Sequence, residues 1–276
     1  MNEDNNALTG NKYCINFQDV TKAAERINGI AHRTPVLTST SLNEICSKKH
    51  RRESCDGAFL GCGRRLFFKI EAMQRTGSFK FRGALNATLS LLENSDKQTR
   101  KGSQGNVINV VTHSSGNHAA ALALSAKLAS NLNTHYTVNA TIVMPKNAPE
   151  IKKAGVKGFG GEIILVDNSN EAREDMADLI VEERNAFFVH PSEDIRVIAG
   201  QGTACLELVE QVREMLSKKV LSEKAMAEYG ERRVKFPLDA VIIPVGGGGL
   251  ASGNTIALRG MLADNVKVND CQMINF

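Results

Sequence analysis

The sequence predicts an α/β fold built on a parallel sheet. From residue 107 onward, short apolar runs of strand length alternate with longer segments of helical spacing, which is the order found in parallel βαβ units. Polar turns rich in serine, asparagine or glycine follow two of these runs and lead into helices, as they do at the ligand-binding edge of such sheets. With 276 residues and 42% hydrophobic content, the chain can bury a large core in one or two domains.

The part of the chain before residue 107 predicts helices and extended segments in alternation. Apolar residues recur at helical spacing over residues 17–27, and Asn28-Gly29 supplies a stop signal. Proline favours an extended segment at 33–37, since it pushes the preceding residue out of the helical region. The other predictions are a short helix at 41–46, a polar surface insertion at 47–64, a strand at 65–70 and a buried helix from Ala84 onward.

The second part predicts strands with helices between them. Strands are expected at 107–111, 140–144, 162–166 and 186–190, and helices at 119–129, 148–153 and 171–183. A further helix is expected at 204–215, after a separate glycine-containing run at 200–203. The last clear strand is expected at 240–243, directly before four consecutive glycines.

Composition excludes several classes of protein. The net charge of +4 is small and dispersed, so no nucleic-acid partner is expected, and the basic run at 48–52 predicts a solvated loop. The 6 cysteines form no CxxC pair and no ligand spacing with histidine, which predicts free thiols and no metal site. No secretory signal or membrane-spanning stretch is evident. We therefore expect a cytoplasmic protein with no membrane partner.

The stretch EAMQRTGSFKFRGA at 71–84 places Lys80 where a predicted strand gives way, through a turn, to a helix. A fixed scaffold presents side chains to a cleft at such junctions. Burial disfavours the ammonium form of lysine, and the neutral amine can form a Schiff base with an aldehyde. The alternative is an ordinary solvated lysine in the first turn of a surface helix.

The run THSSGNH at 112–118 follows a predicted strand and opens the next helix. Backbone N–H groups at a helix start can hold an anion. Ser115 could donate or accept a proton there, and Asn117 could bond a phenolic oxygen. The alternative is a plain helix N-cap, which serine and asparagine favour.

The run PVGGGGLASG at 244–253 has glycine at the four positions 246–249. Consecutive glycines let the backbone approach a phosphate with free N–H groups. The run lacks the lysine of a Walker loop and is not GxGxxG, and a flexible turn would not need four glycines. A reactive amine, a hydrogen-bonding turn and a phosphate loop together suggest pyridoxal 5'-phosphate, an aldehyde that supplies an electron sink.

Four motifs carry a family resemblance: TGSFKFRGALNA, THSSGNHA, AGQGT at 199–203 and PVGGGGLASG. With them the chain resembles the fold-type II (tryptophan synthase β-like) pyridoxal-phosphate enzymes, in the serine racemase and serine/threonine dehydratase branch. The resemblance runs from about residue 17 to residue 268. Phenylalanine and arginine after the lysine are typical of this branch, whereas cysteine synthases usually have aspartate there.

The resemblance implies a role for each motif residue. Lys80 would hold the cofactor and take the substrate α-proton on one face, and Ser115 would act as acid or base on the other face. The implied cofactor contacts are Phe79, Lys80, Asn117, Gly246, Gly247, Gly248, Gly249 and Leu250. The implied substrate contacts are Ser114, Ser115, Asn117, His118 and Arg173, although a solvated helix face is an equal alternative for Arg173. Racemisation and dehydration of small hydroxy amino acids would both follow.

The resemblance also implies two parallel-sheet domains. The large domain would comprise 17–95 and 194–276, and the small domain 96–193. The family continues well beyond the glycine loop, so the large domain is expected to be incomplete, with no residue assignable to a metal site. The alternative function is a catalytically impaired chain that serves as a binding or regulatory partner. A homodimer is a possible assembly.

Overall fold

A computed structural model describes residues 13–50, 63–98, 107–133, 135–219 and 236–263. Within these ranges the helices are α1 (Phe17–Ile27), α2 (Thr40–His50), α3 (Lys80–Gln98), α4 (Asn117–Leu132), α5 (Glu150–Gly158), α6 (Asn170–Arg184), α7 (Ile195–Lys219) and α8 (Gly249–Ala263). The strands are β1 (Val36–Leu37), β2 (Phe68–Lys69), β3 (Val107–His113), β4 (Thr137–Pro145), β5 (Glu162–Val166) and β6 (Phe187–Phe188). Short 3₁₀ turns at Glu71–Met73 and Arg75–Gly77 connect β2 to α3.

A four-stranded sheet confirms the predicted α/β class. Its order is β5-β4-β3-β6, and every pair in it is parallel. Most apolar side chains of the two central strands are buried, because helices cover both faces of a parallel sheet. Since all strands run the same way, the chain that leaves β3 and the chain that leaves β6 emerge at one edge, side by side.

The strand predicted at 240–243 is wrong. These residues join no ladder in the described part of the chain, and Ile242 is 82% exposed. An apolar run is a local signal, whereas a strand also needs a hydrogen-bonding neighbour. The other described sheet is the antiparallel pair β1–β2, so a second parallel sheet is not seen within the described ranges, and the division at residues 96 and 193 stays a prediction.

Helix α7 is longer than predicted, because it begins at Ile195 and runs through the glycine-containing segment 200–203. A Cβ on Gly200 would lie 2.6 Å from the carbonyl oxygen of Arg82 in α3. A Cβ on Gly202 would lie 2.6 Å from the carbonyl oxygen of Gly253 in α8. Glycine weakens a helix interior by about 1 kcal/mol relative to alanine, but here it lets α7 touch two other helix backbones.

The main core lies between α3, α4 and the sheet. Helix α3 is buried on more than one side, as predicted, and Phe81 and Leu85 are fully buried in it. The same cluster contains Leu122 of α4, Ile142 of β4 and Val197 of α7. The helix that begins with Lys80 is therefore central to the described fold. Among the described helices, none has the length and apolar character needed to cross a membrane.

Candidate active site

Lys80 is the first residue of α3 and follows a tight turn, as predicted. Thr76 and Gly77 have φ values of 63° and 75°, so the chain reverses in the left-handed region just before the helix. The Nζ atom of Lys80 donates to the carbonyl oxygen of Pro191 at 2.6 Å and lies 5.4 Å from the ring centroid of Phe79. Burial lowers the pKa of Lys80, which favours the neutral, nucleophilic amine.

The segment 189–192, which follows β6, contacts three of the four sequence motifs: the lysine segment, the THSSGNH turn and the glycine loop. The N–H of Val189 donates to the carbonyl oxygen of Val111 in β3 at 2.9 Å. The carbonyl oxygen of Val189 accepts from His118 at 3.1 Å, and that of Pro191 accepts from Lys80. Ser192 packs against the glycine loop. Sequence reasoning missed Pro191 and Ser192, since their importance lies in long-range contacts; the proline that ends a predicted strand was the available signal.

The turn after β3 leaves the start of α4 open. The N-cap residue is Gly116, which makes no side-chain capping bond, and the Ser114 hydroxyl accepts from the Gly116 N–H at 3.3 Å. The plain N-cap alternative is therefore wrong, and the N–H groups of the first turn can face an anion. Ser115 is half-buried and Asn117 is exposed at this helix start.

His118 is buried and electrically neutral at neutral pH. Burial lowers its pKa to about 4. Its Nε2 atom lies 3.1 Å from the carbonyl oxygen of Val189, so Nε2 carries the proton and donates. The Nδ1 atom then presents a lone pair, and it is buried without a hydrogen-bond partner among the described residues. His118 can accept one further hydrogen bond but cannot supply a positive charge.

Three rings cluster where β3 and β6 end. The ring centroid of Phe188 lies 5.1 Å from that of His113 and 6.0 Å from that of His190, and the two histidine centroids are 5.9 Å apart. The Nδ1 atom of His190 accepts from the backbone N–H of Ser192 at 3.2 Å, which places the ring proton on Nε2. Burial lowers the pKa of His190. Sequence analysis gave these rings no role, although His113 lies inside the THSSGNH motif.

The glycine loop leads into α8 and rests on Ser192. A Cβ on Gly249 would lie 2.8 Å from the Ser192 carbonyl oxygen, and a Cβ on Gly247 would lie 2.6 Å from its Oγ atom. Gly248 has a φ of 83°, where side chains are strained. Gly246 has open space around it. The backbone therefore requires glycine at Gly248 and Gly249, whereas at Gly247 a Cβ would displace the Ser192 side chain. Leu250 follows the loop half-buried in α8.

Arg173 does not join these residues through any hydrogen bond that it forms within the described chain. Its Nε atom donates to the carbonyl oxygen of Ser169 at 3.1 Å, and its Nη2 atom donates to the side chain of Asn170. Both acceptors lie at the start of α6. This arrangement corresponds to the solvated helix face that the sequence left open, and a substrate role for Arg173 stays a prediction.

Comparison with known proteins decides the family. A family model described as "Pyridoxal-phosphate dependent enzyme" matches residues 53–272. The chain belongs to this family. It is 39% identical to the serine racemase of Arabidopsis thaliana over 248 residues, which cover 90% of this chain and 58% of the relative.

Solved structures of this pyridoxal-phosphate family share the fold. The maize serine racemase structure has a TM-score of 0.67 and 37% identity, covering 90% of this chain and 59% of its own. A threonine deaminase structure from T.th. has a TM-score of 0.62 and 32% identity, covering 90% of this chain and 62% of its own. Within this family the chain is similar to serine racemases and a threonine deaminase, and it spans about three fifths of these relatives' length.

The residues present fit the cofactor of the family. The glycine loop offers a backbone cradle that Cβ atoms would disturb at Gly247 and Gly249. Buried polar atoms without partners in the described chain include Ser78 Oγ just before Lys80, Thr112 Oγ1 near the end of β3 and His118 Nδ1 in the first turn of α4. Such atoms need hydrogen bonds that a polar ligand can supply. Together with the lowered pKa of Lys80, they suit an aldehyde that carries a phosphate.

Proposed function

We propose that the chain is a pyridoxal-phosphate-dependent enzyme acting on small hydroxy amino acids, as a serine racemase or a serine/threonine ammonia-lyase. One observation carries the proposal: the segment 189–192 holds the amine of Lys80 at 2.6 Å and packs against the glycine loop. A nucleophile and an anion loop are thereby joined through one short segment. The identity to serine racemases and the threonine deaminase structure support this reaction class.

The cofactor would be held at two ends. The glycines at 246–249 and Leu250 would bind the phosphate with backbone N–H groups, and Lys80 would hold the other end. Phe79 would pack near the ring and Asn117 would bond its hydroxyl. When bound, pyridoxal phosphate supplies an aldehyde that condenses with an amine, releasing one water, and a ring that withdraws electrons from the substrate α-carbon.

Lys80 and Ser115 would move the protons. The neutral amine of Lys80 would take the α-proton from one face, because burial already lowers its pKa. Ser115 would donate or accept a proton on the opposite face, which permits racemisation. Loss of the β-hydroxyl instead gives dehydration. Ser114, Asn117, neutral His118 and Arg173 would hold the substrate by hydrogen bonds and charge.

The assembly and location follow the same proposal. The large domain would comprise 17–95 and 194–276 and the small domain 96–193, with the site between them. A second parallel sheet would belong to the large domain. A homodimer and a cytoplasmic location complete the proposal, and gel filtration with light scattering tests the first of these.

The visible absorption spectrum tests the proposal. Purified chain with added pyridoxal phosphate should show the band of lysine-bound cofactor and should turn over serine. Lys80→Ala should lose both, whereas Lys22→Ala, which changes an exposed lysine of α1, should keep both. Absence of the band in folded wild-type protein would reject the proposal.

Exposed apolar residues favour a second candidate, a chain that binds a partner and turns over little substrate. Ile242 and Val245, just before the glycine loop, are 82% and 47% exposed, and apolar side chains grouped in this way can mark a contact surface. This candidate would be supported if the isolated chain shows the cofactor band but does not turn over serine, and if adding a partner changes both the band and the turnover rate. Full turnover by the isolated chain would reject it.

A further inference from the structure

Arg82 is fully buried two residues after Lys80. Its guanidinium donates to Glu71 through Nε and Nη2 at 2.8 Å each, and to Glu207 through Nη1 and Nη2 at 2.7 and 2.8 Å. Weaker bonds at 3.2 to 3.3 Å reach Thr203, Thr34 and the carbonyl oxygen of His32. Burial alone would lower the pKa of Arg82, but the hydrogen bonds to Glu207 and Glu71 raise it above its usual range.

A second cation completes this buried charge network. The Nζ atom of Lys69 donates to Glu207 at 2.6 Å and to Gln211 at 2.8 Å. Burial would raise the pKa of Glu207, but the hydrogen bonds from Arg82 and Lys69 lower it on balance. Two cations, Arg82 and Lys69, therefore face two anions, Glu71 and Glu207. Buried ion pairs are often no more stabilising than apolar side chains of the same volume, so stability alone accounts poorly for this network.

The network connects the lysine helix to the glycine loop through backbone contacts. Arg82 belongs to the first turn of α3, and Glu207 belongs to α7. One face of α7 contacts α3 at Gly200, and another contacts α8 at Gly202. Helix α8 begins with Gly249, the last glycine of the loop. Because helices are stiff, fixing α3 on α7 also fixes the distance from Lys80 to the loop.

The spacing along α3 separates the two functions. Residues two apart in a helix point in nearly opposite directions. Arg82 therefore fastens one side of the first turn to α7 while Lys80, on the other side, faces Pro191. The planar fork of arginine matches two carboxylates in defined directions, which the ammonium of lysine cannot reproduce.

From this geometry we infer that Arg82 is a positioning residue that sets the distance between the amine of Lys80 and the glycine loop. The inference rests on the proposed function, since it concerns a ligand held at both ends. A pyridoxal phosphate whose phosphate occupies the loop presents its aldehyde at one place. The amine must lie there to within about 0.5 Å.

Two ligands distinguish an effect on the distance between Lys80 and the glycine loop from an effect on the loop alone. Pyridoxal phosphate uses both ends of the site, whereas pyridoxamine 5'-phosphate has the same ring and phosphate but no aldehyde. Wild-type protein should bind pyridoxal phosphate more tightly, by fluorescence titration. Arg82→Lys should reduce that affinity by about 10- to 100-fold, while the affinity for pyridoxamine phosphate changes by about twofold or less.

Arg26→Lys is the matched control. Arg26 also grips α3, through Glu93 at 2.8 Å and Asn86 at 2.6 Å, but beyond its first turn. This variant should keep the wild-type preference for pyridoxal phosphate. If circular dichroism shows that Arg82→Lys does not fold, Glu207→Gln replaces it, since glutamine keeps the side-chain shape and removes one charge. The same selective loss of affinity for pyridoxal phosphate is then expected.

Three outcomes overturn the inference. If folded Arg82→Lys keeps the wild-type preference for pyridoxal phosphate over pyridoxamine phosphate, the distance from Lys80 to the loop does not depend on the guanidinium of Arg82. Equal weakening of both ligands would show a structural role only. Wild-type protein that binds neither ligand would reject the proposed function itself, and the inference with it.

Discussion

The Nζ atom of Lys80 and the carbonyl oxygen of Pro191 lie 2.6 Å apart although the residues are 111 positions apart in the chain. A carbonyl oxygen accepts a hydrogen bond from an ammonium and from a neutral amine alike. The contact can therefore hold the nitrogen in place before and after it loses its proton. It also brings the start of α3 to the edge where β3 and β6 end.

Gly249→Ala should weaken cofactor binding, and Gly246→Ala should not. A Cβ on Gly249 would lie 2.8 Å from a backbone oxygen of Ser192, whereas a Cβ on Gly246 would meet no atom within 4 Å. Forcing that contact costs about 1–3 kcal/mol, which corresponds to a loss of affinity of about 5- to 150-fold. Titration with pyridoxal phosphate measures both variants. Equal affinities would mean that the loop does not depend on its contact with Ser192.

Gly200→Ala should destabilise the fold, and Gly155→Ala should not. The added Cβ at Gly200 would lie 2.6 Å from the Arg82 oxygen and 2.7 Å from the Cα of Gly83, which are both backbone atoms. We expect a loss of about 1–3 kcal/mol in the free energy of unfolding. Gly155 in α5 has open space, so alanine there should stabilise by about 0.4–1 kcal/mol. Urea denaturation compares the two.

Stability should fall as the pH falls because of His118. Its pKa is about 4 in the folded chain, against an ordinary value of 6.5, so the unfolded state binds a proton first as the pH drops. The free energy of unfolding should be full above about pH 6.5 and should decline by about 3 kcal/mol toward pH 4.

Substitution of His118 isolates that contribution. His118→Gln should flatten the decline, since glutamine can donate a hydrogen bond but does not titrate. His135→Gln, which changes an exposed histidine, is the control variant. The same slope in all three proteins would show that His118 is not the titrating group.

Ser115→Ala tests the second proton position. Under the proposed function, racemisation needs a group on each face of the substrate, so we expect it to fall by about 10²–10⁴-fold. Dehydration should fall less, because Lys80 still removes the α-proton. Chiral chromatography and a pyruvate assay on the same samples measure the two rates. A parallel loss of both reactions, with an unchanged circular dichroism spectrum, would contradict the two-face arrangement.

Much of the sheet could be predicted from the sequence, since its strands and helices follow one another in the chain. The strand at 162–166 matches β5, and the helix at 171–183 differs from α6 by one residue at each end. The errors involve distant neighbours. Residues 240–243 have the composition of a strand but lack a pairing strand in the described chain. Helix α7 continues through Gly200 and Gly202, where the absence of a side chain lets the backbones of α3 and α8 pack closely.

The candidate site divides in the same way. Lys80, the turn at 112–118 and the glycine loop carry local patterns of residue type, so the sequence could point to each of them. Pro191 directly follows a predicted strand, but neither it nor Ser192 carries a pattern that indicates its partners. Only the folded chain shows that they contact Lys80 and Gly249. The buried network of Arg82 was missed for the same reason, because its acceptors lie 11 and 125 positions away.

The close contacts that α7 makes with α3 at Gly200 and with α8 at Gly202 have a consequence for thermal stability. Lys80 and Gly249 lie in different helices, which are joined through α7 and segment 189–192. A ligand that binds both Lys80 and the glycine loop would connect segments that lie far apart in the chain. Its binding to the folded state alone would add about 2.7 kcal/mol of stability at a hundredfold excess over its dissociation constant. The melting temperature would then rise with the logarithm of its concentration.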